Sequence, residues 1–152
     1  MKSWIWFRAL AVVLAIFTLG HTLGTRRAIT TSPEEAAVIS SMRQYRLPVM
    51  GFLRSYWEFY RGFSVTITVL LAALAVIVWQ LGILSRRNPR EALPLSITVL
   101  IACVANAIVS FSYFFAAPMV MSVVSVICAS LGLFALCREI AYSGSESRGH
   151  QG

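Results

Sequence analysis

Several side chains capable of chemistry stand in or beside long apolar stretches of the sequence. They are His21, Glu58, Asn106 and Tyr113. A charged group at the centre of a membrane costs roughly 2.5–3.5 kcal/mol on insertion scales, so a polar group retained in such a stretch is a candidate functional residue. Counted along their apolar stretches, all four lie toward the side of the membrane that carries the long loop between the first and second spans. We therefore predict that they share one half of a bilayer.

A second set of candidates comes from residues 52–63, whose sequence is F-L-R-S-Y-W-E-F-Y-R-G-F. Tryptophan and tyrosine rings concentrate where a membrane meets water, and arginine extends outward from there. Trp57 and Tyr60 are therefore predicted to cover the polar residues. Small-molecule sites are mostly apolar pockets with a few placed polar groups. The combination favours a pocket for a lipid-like or other hydrophobic small molecule.

Each candidate also has a purely structural interpretation. A lone histidine such as His21 more often bonds a backbone carbonyl than a ligand, and an asparagine such as Asn106 most often bonds a neighbouring helix. Glu58 has Arg54 and Arg61 as neighbours on a helix face, and an ion pair with either would account for it. The aromatic side chains are explained by an interfacial belt.

An enzyme that uses His21 and Glu58 as an acid–base pair is one alternative to a binding protein. We predict that these two groups lie within a direct or one-water hydrogen bond. The sequence has no nucleophile elbow, no H-E-x-x-H and no G-x-G-x-x-G, so further catalytic residues stay unknown. A haem held by two histidines is disfavoured, because only one histidine lies in an apolar stretch. Cys103, Cys128 and Cys137 lack C-x-x-C spacing and are predicted to be packing residues, so neither metal nor cofactor is expected.

Composition indicates that lipid is the solvent for most of the chain. Apolar residues make up 58% of the 152 residues and charged residues only 12%, against about 25% charged in an average soluble domain. The formal charge of +7 would also suit nucleic acid. Because the basic residues lie in loops and at the ends of apolar stretches, membrane lipids are the expected partner and nucleic acid is not.

The hydropathy pattern predicts an all-α integral membrane protein, an antiparallel four-helix bundle. A helix needs about 20 apolar residues to cross a bilayer. The first span is expected to be retained, because no A-x-A cleavage site follows it. The polar tail, residues 139–152, is predicted to be disordered. The spans are predicted at about residues 4–23, 63–84, 93–116 and 119–137.

An amphipathic helix is predicted at about residues 33–46, in the first loop. The sequence S-P-E-E makes Ser32 an N-cap, Pro33 the first helical residue and Glu35 the third. Apolar residues then recur near helical spacing, which is typical of a helix that lies on a membrane or on the bundle. After Pro48, residues 49–62 are predicted to resume as helix and lead into the second span.

Small residues predict where the spans pack closely, and charge predicts their orientation. The short turn at residues 85–91 is basic, whereas Ala117 and Pro118 form a turn without charge. Both termini are therefore predicted to be cytoplasmic. The small residues are Ala72 and Ala75 on the second span, Ala102 and Ala105 on the third, and Ser122, Ser125, Ala129 and Gly132 on the fourth.

The sequence resembles a family of small four-span bacterial membrane proteins that takes its name from a leptospiral member. The motifs behind the resemblance are G-H-T-L-G at the end of the first span and R-S-Y-W-E-F-Y-R-G-F-S before the second. It covers about residues 5–137 and depends on His21, Gly24, Tyr60, Gly62 and Phe63, with an acid expected where Glu58 stands. It implies a multi-pass protein of the bacterial inner membrane and implies no activity.

Three functions of different classes follow from these observations. A binding protein for a hydrophobic small molecule is favoured, and an accessory or structural subunit of a membrane complex and a small membrane enzyme are the alternatives. A transporter is disfavoured, because the chain has no inverted repeat and no broken helix. Pairing with another copy or with a partner membrane protein stays open.

Overall fold

The computed structural model describes residues 2–26 and 32–149, with side chains to residue 143. Residues 150–152 of the predicted tail lie outside this part. The described chain is helical apart from one short hairpin. Its elements are α1 (Ser3–Thr25), α2 (Pro33–Gln44), β1 (Arg46–Val49), β2 (Phe52–Ser55), α3 (Tyr56–Arg87), α4 (Pro89–Tyr113) and α5 (Ala116–Gly149).

Four of the described helices, α1, α3, α4 and α5, are long and apolar enough to cross a membrane. The prediction of an all-helical chain with four such segments is confirmed. Each observed helix begins before its predicted span, because hydropathy marks only the apolar part of a helix and not its polar ends. The third span is wrong at its other end: α4 ends at Tyr113 and not at residue 116, and Ala117 and Pro118, predicted as a turn, lie in the first turn of α5. The described residues form two compact units: a helical unit of residues 2–17 and 72–149, and a loop unit of residues 18–71.

In the helical unit, α4 and α5 pack along a seam of buried residues that recur at alternating steps of three and four. This spacing is typical of helices that pack side by side at a small crossing angle. The small face predicted on the fourth span is buried here, whereas Ala75 on α3 is half-buried and Ala72, Ala102 and Ala105 are exposed and do not pack against another described helix of the same chain. The buried residues are Ala92, Ser96, Val99, Cys103 and Ser110 on α4, and Ser122, Ser125, Ala129 and Leu136 on α5, whereas the buried Gly132 of α5 packs against Phe7 of α1.

The start of α1 is held by side chains from other helices of the helical unit. Glu139 on α5 accepts hydrogen bonds from the Ser3 backbone N–H at 2.8 Å and from the Ser3 hydroxyl at 2.6 Å. The Arg8 guanidinium lies 5.3 Å from the centre of the Trp4 ring and 4.6 Å from that of Trp79 on α3. An acceptor from α5 therefore satisfies a helix N-terminus that would otherwise leave its first donors open.

The loop unit begins with the predicted N-cap. The Ser32 hydroxyl accepts a hydrogen bond from the Glu35 N–H at 3.2 Å, which confirms the capping motif. The backbone N–H of Glu34 and the Ser32 hydroxyl hold the pKa of the Glu34 carboxyl below its usual range. On the predicted apolar face of α2, only Ile39 and Met42 are half-buried. Contact of that face with a membrane stays a prediction.

Residues 49–62 do not resume as helix directly after Pro48, as the sequence analysis predicted. Residues 46–55 instead form an antiparallel hairpin in which Val49 pairs with Phe52. Its two turn residues, Met50 and Gly51, both have positive φ, at 49° and 87°. Two-residue hairpin turns require this conformation, and it is uncommon for a side chain such as methionine. Because methionine rarely adopts this conformation, the pattern of apolar residues does not indicate a turn at Met50.

The end of α5 also differs from the prediction. The helix continues from residue 139 to Gly149, where a disordered tail was expected. Glu139, Ile140 and Ala141 are all compatible with a helix, and no proline interrupts them. A loss of hydropathy alone does not end a helix.

The contact between Gly132 and Phe7 gives the first testable prediction. A Cβ at position 132 would lie 2.7 Å from Cε1 of Phe7, a ring that is fully buried. We expect Gly132→Ala to destabilise the protein by about 1–3 kcal/mol through overpacking. This outweighs the roughly 1 kcal/mol that alanine gains over glycine inside a helix. The measurement is the Tm of the purified chain in mild detergent, followed by circular dichroism.

Gly20→Ala is the matched control, because Gly20 also lies inside a helix and nothing stands within 4 Å of its Cβ position. This variant should leave the Tm unchanged or raise it. Equal Tm values for the two alanine variants would contradict the close contact of α1 with α5.

Candidate functional site

The side chain of His21 is hydrogen-bonded to a backbone carbonyl of α3. Its Nε2 lies 3.1 Å from the carbonyl oxygen of Ser64, and both residues belong to the loop unit. A carbonyl only accepts, so Nε2 carries the proton in this arrangement. One turn later along α3, Thr68 accepts a hydrogen bond from Thr22 at 3.4 Å. Together these contacts join the last turns of α1 to α3 and confirm the structural interpretation of His21.

Glu58 caps the helix in which it lies. One carboxylate oxygen accepts the Ser55 N–H at 2.7 Å, while the Glu58 N–H donates to the Ser55 hydroxyl at 3.2 Å. This reciprocal pair is a capping box, and it sets the start of α3 at Tyr56. The other carboxylate oxygen accepts from Arg54 at 3.3 Å. Of the two arginines open to Glu58 in the sequence, the structure selects Arg54.

The predicted hydrogen bond between His21 and Glu58 is absent, although both residues are described. Ser64, the partner of His21, follows Glu58 by six residues, which is about 9 Å along a helix at 1.5 Å per residue. The Glu58 carboxylate also points the other way, toward Ser55. The two groups therefore serve separate structural roles, and their geometry does not support an acid–base pair.

Aromatic rings surround the start of α3, as the sequence predicted. Tyr45 stacks on Tyr56, with ring centres 5.7 Å apart, and Trp57 stacks on Tyr60 at 5.5 Å. Arg43 of α2 lies over the Trp57 ring, with its guanidinium carbon 4.8 Å from the ring centre. Trp57 thus connects α2 to α3, and Tyr60 is about half exposed, at 49%.

A surface depression of about 660 Å³ runs along the start of α3, and we call it the α3 groove. Its lining combines two guanidinium groups and one carboxylate with three aromatic rings. Gly62 contributes no side chain, and a Cβ there would meet no atom within 4 Å. The groove is lined by Arg54, Trp57, Glu58, Phe59, Arg61, Gly62, Phe63 and Thr66.

Asn106 and Tyr113 lie in the helical unit, apart from the residues that line the α3 groove. The Asn106 amide donates to the Ser122 hydroxyl at 3.0 Å, and Ser122 also bonds Ser110 at 2.8 Å. Asn106 therefore joins α4 to α5, as its structural interpretation held. Tyr113 is the last residue of α4 and is 81% exposed. Of the six predicted site residues, Glu58 and Trp57 are the two that line the groove.

Sequence reasoning gave Arg61 too little weight. In the described part of the chain its guanidinium forms no ion pair or hydrogen bond, because Glu58 pairs with Arg54 instead. The signal that could have shown this is S-Y-W-E at residues 55–58, which has the spacing of a capping box. Once Glu58 is assigned to Ser55, Arg61 has no charged partner in the part of the chain that the structure describes, and it lines the groove together with aromatic rings.

Comparison of the chain with protein-family models, with curated proteins and with solved structures finds no match. The resemblance to the small four-span family stays a prediction. Within the described residues, no group of three or more histidine, cysteine, aspartate or glutamate side chains is placed to hold a metal ion. The chemistry of this chain is therefore inferred from its own residues.

The separate contacts of His21 and Glu58 generate the second prediction. We expect His21→Ala and Glu58→Ala each to lower the Tm, because the first loses the bond to Ser64 and the second loses the cap of α3. Residues without shared partners have additive effects, so the double variant should show the sum of the two losses. Thermal unfolding in mild detergent measures all three variants.

Glu58→Gln is the matched control. Glutamine still caps the Ser55 N–H but loses the charge that pairs with Arg54, so this variant should lose less stability than Glu58→Ala. A double variant no worse than the poorer single variant would show that His21 and Glu58 act as one unit and would contradict the observed geometry.

Proposed function

We propose that this chain is a multi-span membrane protein that binds an anionic, lipid-like amphiphile in the α3 groove. The observation that carries the proposal is the guanidinium of Arg61, which has no ion pair or hydrogen bond among the described residues and lines the groove together with an ion pair and aromatic rings. Four apolar helices of spanning length support the membrane setting. A ligand with a negative head and an apolar tail matches this combination of a cation and aromatic rings.

Charge decides the sign of the ligand. In the groove, Arg54 and Glu58 neutralise each other as an ion pair, which leaves the charge of Arg61. Arginine binds phosphate and carboxylate groups through paired N–H donors, and such charge-assisted bonds are stronger than neutral ones. A headgroup with a phosphate or carboxylate therefore fits the groove at Arg61 better than a zwitterionic or neutral one.

Aromatic and apolar side chains favour a tail rather than a soluble anion. Phe63 is 68% exposed and stacks with Phe59, their ring centres 6.5 Å apart. From Phe63 onward, α3 has no charged residue until Arg86. An acyl or isoprenoid chain would lie along this apolar surface while its headgroup contacts Arg61.

The bacterial inner membrane is the proposed location, with both termini in the cytoplasm. The basic residues of the α3–α4 connection, Arg86, Arg87 and Arg90, support this orientation, since cytoplasmic loops are enriched in lysine and arginine. The short α4–α5 connection, Phe114 and Phe115, carries no charge. The α3 groove would then face the outer half of the bilayer.

An accessory subunit is the second candidate, and the tip of the hairpin supports it. Met50 is 95% exposed, Phe52 65% and Leu53 61%. Exposed apolar residues at a hairpin tip suit a contact with a partner protein. The tip and the α3 groove can be altered separately, so variants distinguish the two functions.

The third prediction concerns the ligand. In vesicles, Arg61→Gln should weaken binding of phosphatidylglycerol by about tenfold, since one charge-assisted contact contributes on the order of 1.4 kcal/mol. Native mass spectrometry of protein released from phosphatidylglycerol or phosphatidylcholine vesicles measures the bound lipid. Inorganic phosphate added in excess tests whether the headgroup alone suffices; we expect it to compete poorly.

Two matched controls accompany this experiment. Arg87→Gln makes the same charge change at the far end of α3 and should leave lipid binding unchanged. Gly62→Leu fills the groove without changing its charge, and Gly20→Leu places the same side chain where nothing stands within 4 Å. Equal retention of phosphatidylglycerol and phosphatidylcholine, or equal losses for Arg61→Gln and Arg87→Gln, would refute the proposed function.

The fourth prediction is the orientation. A reporter that works only in the cytoplasm should be active when it is fused after Gly152. A reporter that works only outside the cytoplasm should be active when it is inserted between residues 25 and 32. The reason is the charge difference between the two short helix connections. Activity in the opposite compartments would invert the orientation while leaving the four spans in place.

A further inference from the structure

Asn106 is an amide on a helix that is otherwise apolar around it, and it is exposed. It lies seven residues before the end of α4, a helix of 25 residues. At 1.5 Å per residue, it stands about 7.5 Å from the middle of this helix, well inside a hydrocarbon layer about 30 Å thick. The proposed membrane setting therefore places an exposed amide in lipid.

Only part of the hydrogen-bonding capacity of this amide is used. An asparagine side chain has two N–H donors and one carbonyl oxygen. Within the described part of the chain, one donor bonds Ser122, while the second donor and the oxygen Oδ1 have no partner. Lipid tails supply neither donors nor acceptors, so an unpartnered amide at this depth is strongly disfavoured. A further partner is required.

The surface around Asn106 permits a close approach by another helix. Ala102, Ala105, Val109 and Tyr113 are exposed on the same side of α4, and with Asn106 we call them the Asn106 face. Alanine at two of these positions lets a second backbone come near enough for amides to meet. The small residues permit a close approach, and the hydrogen-bonding groups of Asn106 select the partner.

We propose that a second copy of this chain covers the Asn106 face, with the two Asn106 amides bonded to each other across a two-fold axis. The amide is self-complementary, because its free N–H and its free oxygen match those of an identical amide. Copies inserted in the same orientation place residue 106 at the same depth in both. A different protein would need its own hydrogen-bonding side chain at that depth, whereas a second copy brings one by symmetry.

The number of chains per particle tests the proposal directly. The full chain, labelled with one fluorophore, is reconstituted into phosphatidylcholine vesicles at high lipid-to-protein ratio, and photobleaching steps are counted. We expect mostly two steps for the wild-type chain. Asn106→Leu should reduce two-step particles to the level that chance co-occupancy gives.

Two further variants separate pairing from folding. Ser122→Ala removes the intrachain bond of Asn106 but leaves the amide, so pairs should persist. For geometry, Val109→Cys and Ile108→Cys are compared in a chain whose native cysteines are replaced by alanine. Both positions are exposed, at 47% and 64%, and they point to different sides of α4. A disulfide between copies should form at Val109 and not at Ile108.

Several results would contradict the pairing of two copies through the Asn106 face. Wild-type monomers, pairs that survive Asn106→Leu, or cross-linking at Ile108 in place of Val109 would each overturn the proposal. A different protein bound at this face in material purified from membranes would overturn it too. The Asn106 face and Arg61 are altered by different variants, so loss of lipid binding at the α3 groove leaves this test unaffected.

Discussion

Hydrogen-bond satisfaction inside apolar helices is the constraint on which most of this structure depends. Where water is absent, a polar side chain must find a partner in its own helix or in the next one. Many hydroxyls solve this locally by donating to a carbonyl four residues earlier, as Ser96 does to Ala92 at 2.7 Å and Ser125 does to Met121 at 2.8 Å. Polar groups that do not close locally connect helices instead, as His21, Asn106, Glu139 and the Ser110–Ser122 pair do.

The same constraint explains why the candidate site became smaller than the sequence suggested. His21 and Glu58 were chosen because unpartnered polar groups are costly, but a backbone carbonyl and a helix N-terminus are also partners. His21 bonds the carbonyl of Ser64, and Glu58 caps the start of α3. What is left for a ligand is the group whose partner was taken by another residue, which is Arg61.

Some features follow directly from local sequence. The four apolar helices, the α2 cap at Ser32 and the aromatic cluster around Trp57 were all predictable, because hydropathy, capping and interfacial residues act over a few neighbouring positions. The cap at Ser55 was equally local, since S-Y-W-E contains its whole signal. An ion pair or a site role for Glu58 competes with the cap for the same carboxylate, so the sequence alone does not decide among the three.

Other features depend on contacts that no local pattern contains. The positive φ of Met50 is imposed by the pairing of β1 with β2, against the preference of that residue. Which alanines are buried depends on which helices meet, so Ala129 is covered while Ala102 is exposed. The pairing of His21 with Ser64 also depends on the register of α1 against α3, which the sequence does not specify.

The bond between Ser3 and Glu139 has a consequence for biosynthesis. These residues are 136 positions apart, so the carboxylate that accepts from the start of α1 belongs to a helix made long after α1. During synthesis, α1 must enter its surroundings with the N–H and the hydroxyl of Ser3 still without this acceptor. A chain that stalls before α5 therefore leaves the start of α1 uncapped.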